Sequence, residues 1–195
     1  PVLIAVALLA GLLWLTATPY PVYFEGAQFV HFLLGPATVA LALPLWDNLG
    51  HVRRAALPLL AALLAGSTVA VFSALGLAVA FGIDGEVLAS LAPKSATAPV
   101  ALGISASLGG SPTLTAVLVI LTGIVGAIFT TPLLNALGIR DWRARGFATG
   151  VAAHGIGTAR AFQVHPTAGA FAGLGMGMNA VLTAFLAPLV LRLFQ

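Results

Sequence analysis

The 195-residue chain is 60% hydrophobic and only 7% charged, with a mean hydropathy of +1.09. Soluble domains carry roughly 25% charged residues, so this composition excludes a soluble globular protein and predicts an all-α integral membrane protein. The net charge is +3, but the eight basic residues are scattered and form no patch suited to nucleic acid. The absence of cysteine excludes disulfides, thiolate metal sites and thiol catalysis.

Hydrophobic runs separated by polar clusters predict about seven membrane segments within a single domain that covers residues 1–195. The longest runs reach the roughly 20 residues that cross a bilayer. No basic region precedes the first run, which therefore predicts a membrane helix rather than a signal peptide. The segments fall at about 2–17, 28–45, 55–82, 87–107, 113–136, 146–163 and 167–193.

Three of these segments contain helix breakers. In hydrocarbon every backbone N–H and C=O needs a partner, so a broken helix is tolerated only where it is buried in protein or lines a wet cavity. The broken segments therefore indicate the functional centre of a transporter-like protein. The breakers are Gly35, Pro36 and Pro44 in the second segment, Pro93 and Pro99 in the fourth, and Gly155 and Gly157 in the sixth.

The basic loops indicate the orientation of the chain. The loops 47–54 and 139–145 hold five of the eight basic residues, and the positive-inside rule places both in the cytoplasm. Two ordinary spans at 87–107 and 113–136 would leave the second loop on the wrong side. A re-entrant hairpin at 87–107 removes the conflict, and a conventional span with a weak charge signal is the alternative.

Two segments share a short pattern that suggests internal repeats. The stretches 35–44 and 95–104 each contain an Ala-Thr step followed by Val-Ala-Leu. Many transporters contain repeats with broken helices in corresponding positions. The pattern indicates either two related halves or a biased composition.

Lys94 is the one fixed charge predicted inside an apolar segment, because all five acids fall in loops or at interfaces. A lysine at mid-bilayer costs on the order of 2.5–3.5 kcal/mol and usually faces a substrate path. Ser95 and Thr97 add hydroxyls, and the helix ends at a break present free N–H groups that suit an anion. In the alternative, Lys94 snorkels to an interface.

The sixth segment places Gly146, Gly150, His154 and Thr158 at every fourth residue, on one helical face. Glycines on that face let another helix approach, so His154 is expected where helices meet. It is either a substrate or proton group or a packing histidine. Arg160 is either a ligand or an interfacial anchor.

The last segment carries glycines at a four-residue spacing, which predicts tight helix packing. The pattern does not follow a strand, so it is not a dinucleotide site. Asn179 is the polar group deep in this segment and is a candidate for the cavity. The packing glycines are Gly169, Gly173 and Gly177.

Enzymatic activity is not expected. No carboxylate lies in the interior to orient His154 or to act as a base. The four histidines, at positions 31, 51, 154 and 165, lack the spacing of metal ligands, and we expect no metal and no cofactor.

The stretches 23–46, 90–105, 114–129 and 144–162 resemble, in order and spacing, the LrgB/CidB family. The motif at Pro93, Lys94, Ser95, Thr97 and Pro99 and the block His154-Gly155-Ile156-Gly157-Thr158-Ala159-Arg160 carry the resemblance, which covers nearly the whole chain. It implies a bacterial inner-membrane protein and, since members usually begin with another membrane helix, a further helix upstream of Pro1. It also implies a small LrgA/CidA-type membrane partner and control of murein hydrolase activity and autolysis.

The same resemblance implies transport, because a plant relative is a plastidal glycolate/glycerate translocator and bacterial members are linked to pyruvate. We therefore expect a carrier of small monocarboxylates such as pyruvate, lactate or glycolate, acting by alternating access. The alternative is a holin/antiholin-like modulator that acts with an LrgA/CidA-type partner. The expected partners are the lipid bilayer, the carboxylate and further copies of the chain in a homo-oligomer.

Overall fold

The computed structural model describes residues 2–40, 46 and 49–194, and these residues contain helices and loops but no strand. The chain divides into two compact units, residues 1–43 and 44–195. The all-α prediction is confirmed for the described residues.

The first unit contains α1 (Val2–Leu15) and α2 (Tyr20–Ala40), joined by a turn in which Ala17 has φ +51°. The predicted interruption at Gly35 and Pro36 is wrong, because α2 continues through Pro36. A proline removes one helical hydrogen bond, and membrane helices tolerate that loss. Pro44, a further predicted breaker, lies outside the described residues.

The second unit carries the remaining helices. Three of them are long and apolar enough to cross a membrane, and at about 38 Å each exceeds the roughly 30 Å hydrocarbon core. The helices are α3 (Leu49–Arg54), α4 (Ala56–Ala80), α5 (Gly85–Leu91), α6 (Ala98–Ser107), α7 (Pro112–Ala136), α8 (Trp142–Val164) and α9 (Pro166–Leu191), and the three long ones are α4, α7 and α9.

Polar caps explain where three of these helices begin. Ser111 accepts a hydrogen bond from Leu114 N (3.4 Å) at the start of α7, and the Asp141 carboxylate accepts one from Arg143 N (2.8 Å) at the start of α8. His165 Nδ1 accepts from Thr167 N (3.1 Å) before α9. Such caps satisfy N–H groups that the first helical turn leaves free.

Helices α5 and α6 form an antiparallel hairpin, which we call hairpin 1 (residues 85–107, with tip 92–97). Thr115 Oγ1, near the start of α7, donates to Ser90 O (3.0 Å) and lies 2.7 Å from Ser105 Oγ. One turn further along α7, Val119 packs with Ala96 and Ala101. From Thr115 to Val119, the contacts move from Ser90 to Ala96 in the first arm and from Ser105 back to Ala101 in the second. The two arms are therefore antiparallel, as expected for the hairpin alternative at 87–107.

Helix α8 is also folded back on itself and forms hairpin 2 (residues 142–164). A straight helix of 23 residues would be about 35 Å long, yet the rings of Trp142 and His165 at its two ends stack at 4.8 Å. The fold-back occurs at Ala153 (φ −128°, ψ 15°) and His154 (φ 41°, ψ −135°), which form its tip. The predicted sixth segment is thus a hairpin rather than a single crossing.

The two hairpins enter the second unit from opposite ends. Helix α9 runs parallel to α4, because Leu59 clusters with Phe171 near their N-terminal ends and Leu75 with Val190 near their C-terminal ends. The first arm of hairpin 2 runs parallel to α9, since Gly146 and Gly150 face Ala168 and Ala172, and antiparallel to α7. Hairpin 1 starts at the C-terminal end of α4 and hairpin 2 at the C-terminal end of α7. A long helix followed by a hairpin therefore occurs twice, in opposite directions, which is the arrangement of inverted repeats.

Candidate functional site

The tips of the two hairpins meet at Asn179, which lies in the middle of α9. The Asn179 amide Nδ2 donates to Ser95 O in tip 1 (2.9 Å) and to Val151 O at the end of the first arm of hairpin 2 (3.1 Å). Pro99 has no N–H to offer the Ser95 carbonyl, and the break at His154 frees nearby carbonyls of α8. Asn179 therefore donates a hydrogen bond to one buried carbonyl near each break.

The remaining hydrogen-bonding capacity of Asn179 is used by two hydroxyls. Its Oδ1 accepts from Ser67 Oγ (2.6 Å) and from Thr183 Oγ1 (3.3 Å), and the side chain is 1% exposed. An amide has two donor hydrogens and two acceptor sites, and all four are occupied by protein groups. Asn179 holds the two tips and α4 together in this arrangement.

His154 forms the tip of hairpin 2 and is held against α7. Its imidazole is 3% exposed and Nε2 lies 2.9 Å from Val119 O. Because a carbonyl can only accept, Nε2 carries a hydrogen and donates it. Gly123 makes this approach possible, since a Cβ at position 123 would lie 2.7 Å from His154 Cε1.

Lys94 lies in tip 1, where it is half-buried and its Nζ donates to Ser95 Oγ (3.1 Å). Tip 1 and His154 approach the same residue of α7, since Val119 packs with Ala96 and its carbonyl oxygen lies 2.9 Å from His154 Nε2. Among the described residues no carboxylate lies within ion-pair distance of Lys94, because the one salt bridge there joins Asp141 to Arg143. The meeting point of the tips is therefore cationic and free of acid.

Backbone and hydroxyl groups complete the tips. Thr97 is the N-cap residue of α6, and the N–H groups of Thr97 and Ala98 donate to no other described residue. Thr158 is buried and its Oγ1 donates to His154 O (2.8 Å), which satisfies another carbonyl of the break. Pro93 is fully buried beside Lys94, whereas Pro99 is exposed in the first turn of α6.

Arg160 does not join this cluster. It lies on the exposed side of hairpin 2, nearly two turns beyond the tip, where Nη1 donates to Gln163 Oε1 (3.3 Å). There it lines a pocket together with Arg145. The sequence does not mark Arg145 as a site residue, because the end of the basic loop 139–145 is a position typical of an interfacial anchor, but the fold buries its side chain.

The glycines named from the sequence differ in what surrounds them. Gly146 and Gly150 lie directly against the carbonyls of Ala168 and Ala172, so the first arm of hairpin 2 and α9 are in backbone contact. A Cβ at Gly157 would lie 3.1 Å from Thr149 O across the hairpin. Gly169 lies against Phe162, Gly155 lies beside Met176, and Gly173 is half-buried. Gly177 is exposed, and a Cβ there would meet no other atom within 4 Å, so it makes no close helix contact within the described residues.

The fold and its site define a class: a helical membrane protein in which two opposed hairpins bring a lysine and a histidine to one buried point. The chain belongs to the LrgB-like family, whose model matches residues 1–193. The chain is thus shown to be a membrane protein of the LrgB/CidB type, as the sequence motifs predict.

Named relatives extend over the same region. The chain is 39% identical to the uncharacterized protein YxaC of Bacillus subtilis over 195 residues, which cover 100% of the chain and 85% of that relative. It is 32% identical to the holin-like protein CidB of Staphylococcus epidermidis and 31% identical to that of Staphylococcus aureus, again covering 100% of the chain and 85% of each relative. No solved structure matches the chain.

Proposed function

We propose that this protein is a carrier of small monocarboxylates, of the pyruvate, lactate or glycolate class, in the bacterial inner membrane. The observation that carries the proposal is the meeting of the two hairpin tips, which carry Lys94 and His154, at a point where no described carboxylate pairs with Lys94. A carboxylate needs a positive partner and several hydrogen-bond donors, and this point offers both. The carrier makes and breaks no covalent bond of its substrate.

Each tip contributes a different part of the proposed binding site. In tip 1 the Lys94 ammonium meets the carboxylate, while the free N–H groups of Thr97 and Ala98 add the positive end of α6. In tip 2, His154 donates its Nε2 hydrogen to Val119 O, so Nδ1 is the ring nitrogen available for proton exchange. Proton-coupled uptake of the anion follows from these roles.

The opposed hairpins support alternating access. In carriers with inverted repeats, the substrate site lies near mid-membrane between discontinuous helices, and one repeat moves against the other. Here hairpin 1 separates the tips from one end of the molecule and hairpin 2 from the other. A multi-pass topology with α4, α7 and α9 as full spans puts both ends of hairpin 2 on the side of the basic loop 139–145.

The test is uptake of labelled pyruvate, lactate and glycolate into proteoliposomes. Loss of a charge-assisted hydrogen bond is worth about 1.5–3 kcal/mol, so Lys94→Ala is expected to lower the uptake efficiency about 10- to 100-fold. Lys94→Arg keeps the charge and is expected to retain part of the activity. Arg140→Gln, at an exposed position on the 139–145 loop, is the matched control with one cation removed elsewhere.

Two results would reject the carrier proposal. One is the absence of uptake by the intact protein under every imposed gradient. The other is uptake by Lys94→Ala that equals uptake by Arg140→Gln.

The names of two relatives support a second candidate function, since both are called holin-like protein CidB. As such a protein, the chain would act by assembling with an LrgA/CidA-type membrane partner and would alter autolysis. Gly177 on α9 is exposed, and a Cβ built there would meet no other atom within 4 Å, so this position is open to such a partner. If Gly177→Leu abolishes co-purification with the partner and Lys94→Ala does not, the modulator is favoured, whereas the reverse pattern opposes it.

A further inference from the structure

A second polar pocket lies between α7 and hairpin 2, away from the tips. Arg145, from the first turn of α8, and Arg160, from its last turns, both line this pocket. In a straight helix these residues would be about 22 Å apart, so the fold-back of hairpin 2 brings them together. The other lining side chains that matter here are Trp142, Thr130 and Thr149.

Arg145 is a buried cation with few partners. It is 7% exposed, its Nη1 donates to Ile139 O (2.8 Å), and its Nη2 lies 3.5 Å from Thr131 O at the limit of a hydrogen bond. Its guanidinium carbon lies 4.9 Å from the centre of the Trp142 ring. A guanidinium has five N–H donors, so most of its capacity is left for another acceptor.

Neither arginine has an acidic partner among the described residues. The nearest acid in sequence, Asp141, is paired with Arg143 at 2.7 Å. The hydroxyls of Thr130 and Thr149 donate to backbone carbonyls of their own helices, so they do not compensate the charge. Burying an arginine is costly unless it is paired, and a second cation lining the same pocket adds repulsion.

We infer that this pocket is a second anion site, in which Arg145 and Arg160 bind the carboxylate group of the transported anion at the end of the molecule opposite hairpin 1. The carboxylate class of the ligand rests on the proposed function, whereas the site itself rests on the two arginines. Guanidinium groups bind carboxylates through paired N–H donors, and one carboxylate between two of them offsets their repulsion.

The pocket is too small for the anion unless the Arg160 side chain moves. The cavity volume is about 20 Å³, which holds a water molecule but not a whole carboxylate. The Arg160 side chain is exposed and held by a single 3.3 Å bond to Gln163, so it moves outward to admit the anion while Arg145 stays fixed. The anion thus pauses beside the basic loop before or after it occupies the tips.

Trp142 offers a readout that does not depend on transport, since it lines the pocket, lies over Arg145 and stacks on His165. The two other tryptophans, at positions 14 and 46, are replaced by phenylalanine, and the protein in detergent is titrated with sodium pyruvate against sodium chloride at equal ionic strength. We expect a saturable change in Trp142 fluorescence with pyruvate alone. Arg160→Gln is expected to raise the apparent Kd at least about 10-fold, and Arg140→Gln to leave it unchanged.

Arg145→Gln removes the buried charge, and Arg145→Lys, which keeps it, is used instead if Arg145→Gln does not fold. Arg145→Lys is expected to weaken binding because a lysine cannot form the paired contact. The inference is overturned if the fluorescence change does not saturate, if chloride produces it equally, or if Arg160→Gln and Arg140→Gln give the same Kd. In Lys94→Ala, loss of uptake with a persisting Trp142 signal is the result that both proposals expect. In the intact protein, a saturable Trp142 signal without uptake supports the pocket and rejects the carrier, while uptake without the signal does the opposite.

Discussion

The contact between His154 and α7 depends on the missing side chain of Gly123, so Gly123→Ala tests the placement of tip 2. The added Cβ would lie 2.7 Å from His154 Cε1 and 2.8 Å from Ile156 Cδ1. Carbon atoms prefer separations of about 3.5–4.0 Å, so the imidazole would have to retreat by about 1 Å. The distance from Nε2 to Val119 O, now 2.9 Å, would then be about 3.9 Å and no longer a hydrogen bond.

The expected loss of stability follows from three effects. Overpacking costs about 1–3 kcal/mol and the lost hydrogen bond about 1 kcal/mol. Replacing a helical glycine by alanine returns about 0.5–1 kcal/mol. The net destabilisation is about 1–3.5 kcal/mol, which lowers the Tm of a chain of this length by about 2–14 °C.

The assay compares the thermal unfolding and pyruvate uptake of Gly123→Ala with those of Gly103→Ala. Gly103 also lies inside a helix, but it is exposed and a Cβ there would contact nothing within 4 Å. The control is expected to be as stable as the wild type or slightly more so. Equal Tm values and equal uptake for the two variants would refute the close approach of His154 to α7.

Three further variants test other parts of the fold. Asn179→Leu is expected to destabilise the protein by about 3 kcal/mol or more, because it leaves two buried carbonyls and two hydroxyls without their partner, while Ser67→Ala costs about 1 kcal/mol; equal Tm values for the two would count against Asn179 as the link. Gly150→Ala places a methyl group against the Ala172 carbonyl and is expected to prevent stable folding, measured as loss of the monodisperse peak in size-exclusion chromatography; a normal peak would contradict the backbone contact. The hydrogen bond from the Arg143 side chain lowers the pKa of Asp141 to about 2. The ionised carboxylate therefore stabilises the fold above pH 4, and this contribution is lost as the pH falls towards 2. The Tm advantage of the wild type over Asp141→Asn should shrink over that range.

The sequence predicts much of the helical layout because apolar length and breakers act locally. Helix α4 ends just before Gly82, and α7 and α9 begin directly after Ser111 and His165, where turns and caps are encoded by neighbouring residues. Counting charges on the two sides of a membrane offers the hairpin at 87–107 as one of two alternatives, and the packing of Thr115 and Val119 against both of its arms distinguishes them. By contrast, a proline alone does not tell whether a helix ends or continues, as Pro36 shows.

The site is harder to predict because its partners are distant in the chain. Lys94 and His154 stand out as polar groups in apolar segments, but their distance depends on how α8 folds back at His154. Ser67, Val119 and Gly123 become important only through contacts across 31 to 112 positions, and none has an unusual local pattern. Arg160 is separated from Lys94 for the same reason, since the fold-back turns it towards Arg145.

The contacts within the second unit tie each hairpin to a different long helix. Hairpin 1 is tied to α7 through the bonds among Ser90, Ser105 and Thr115, and hairpin 2 is tied to α9 by the backbone contacts at Gly146 and Gly150. At the tips these two assemblies are joined by two hydrogen bonds, from Asn179 to the Ser95 carbonyl and from His154 to the Val119 carbonyl. Away from the tips they are joined by apolar packing, since Leu88 and Ile104 of hairpin 1 cluster with Val190 and Leu191 of α9. The two hydrogen bonds contribute about 1 kcal/mol each and set the register of the tips, so a movement of one assembly against the other must also change the apolar contacts.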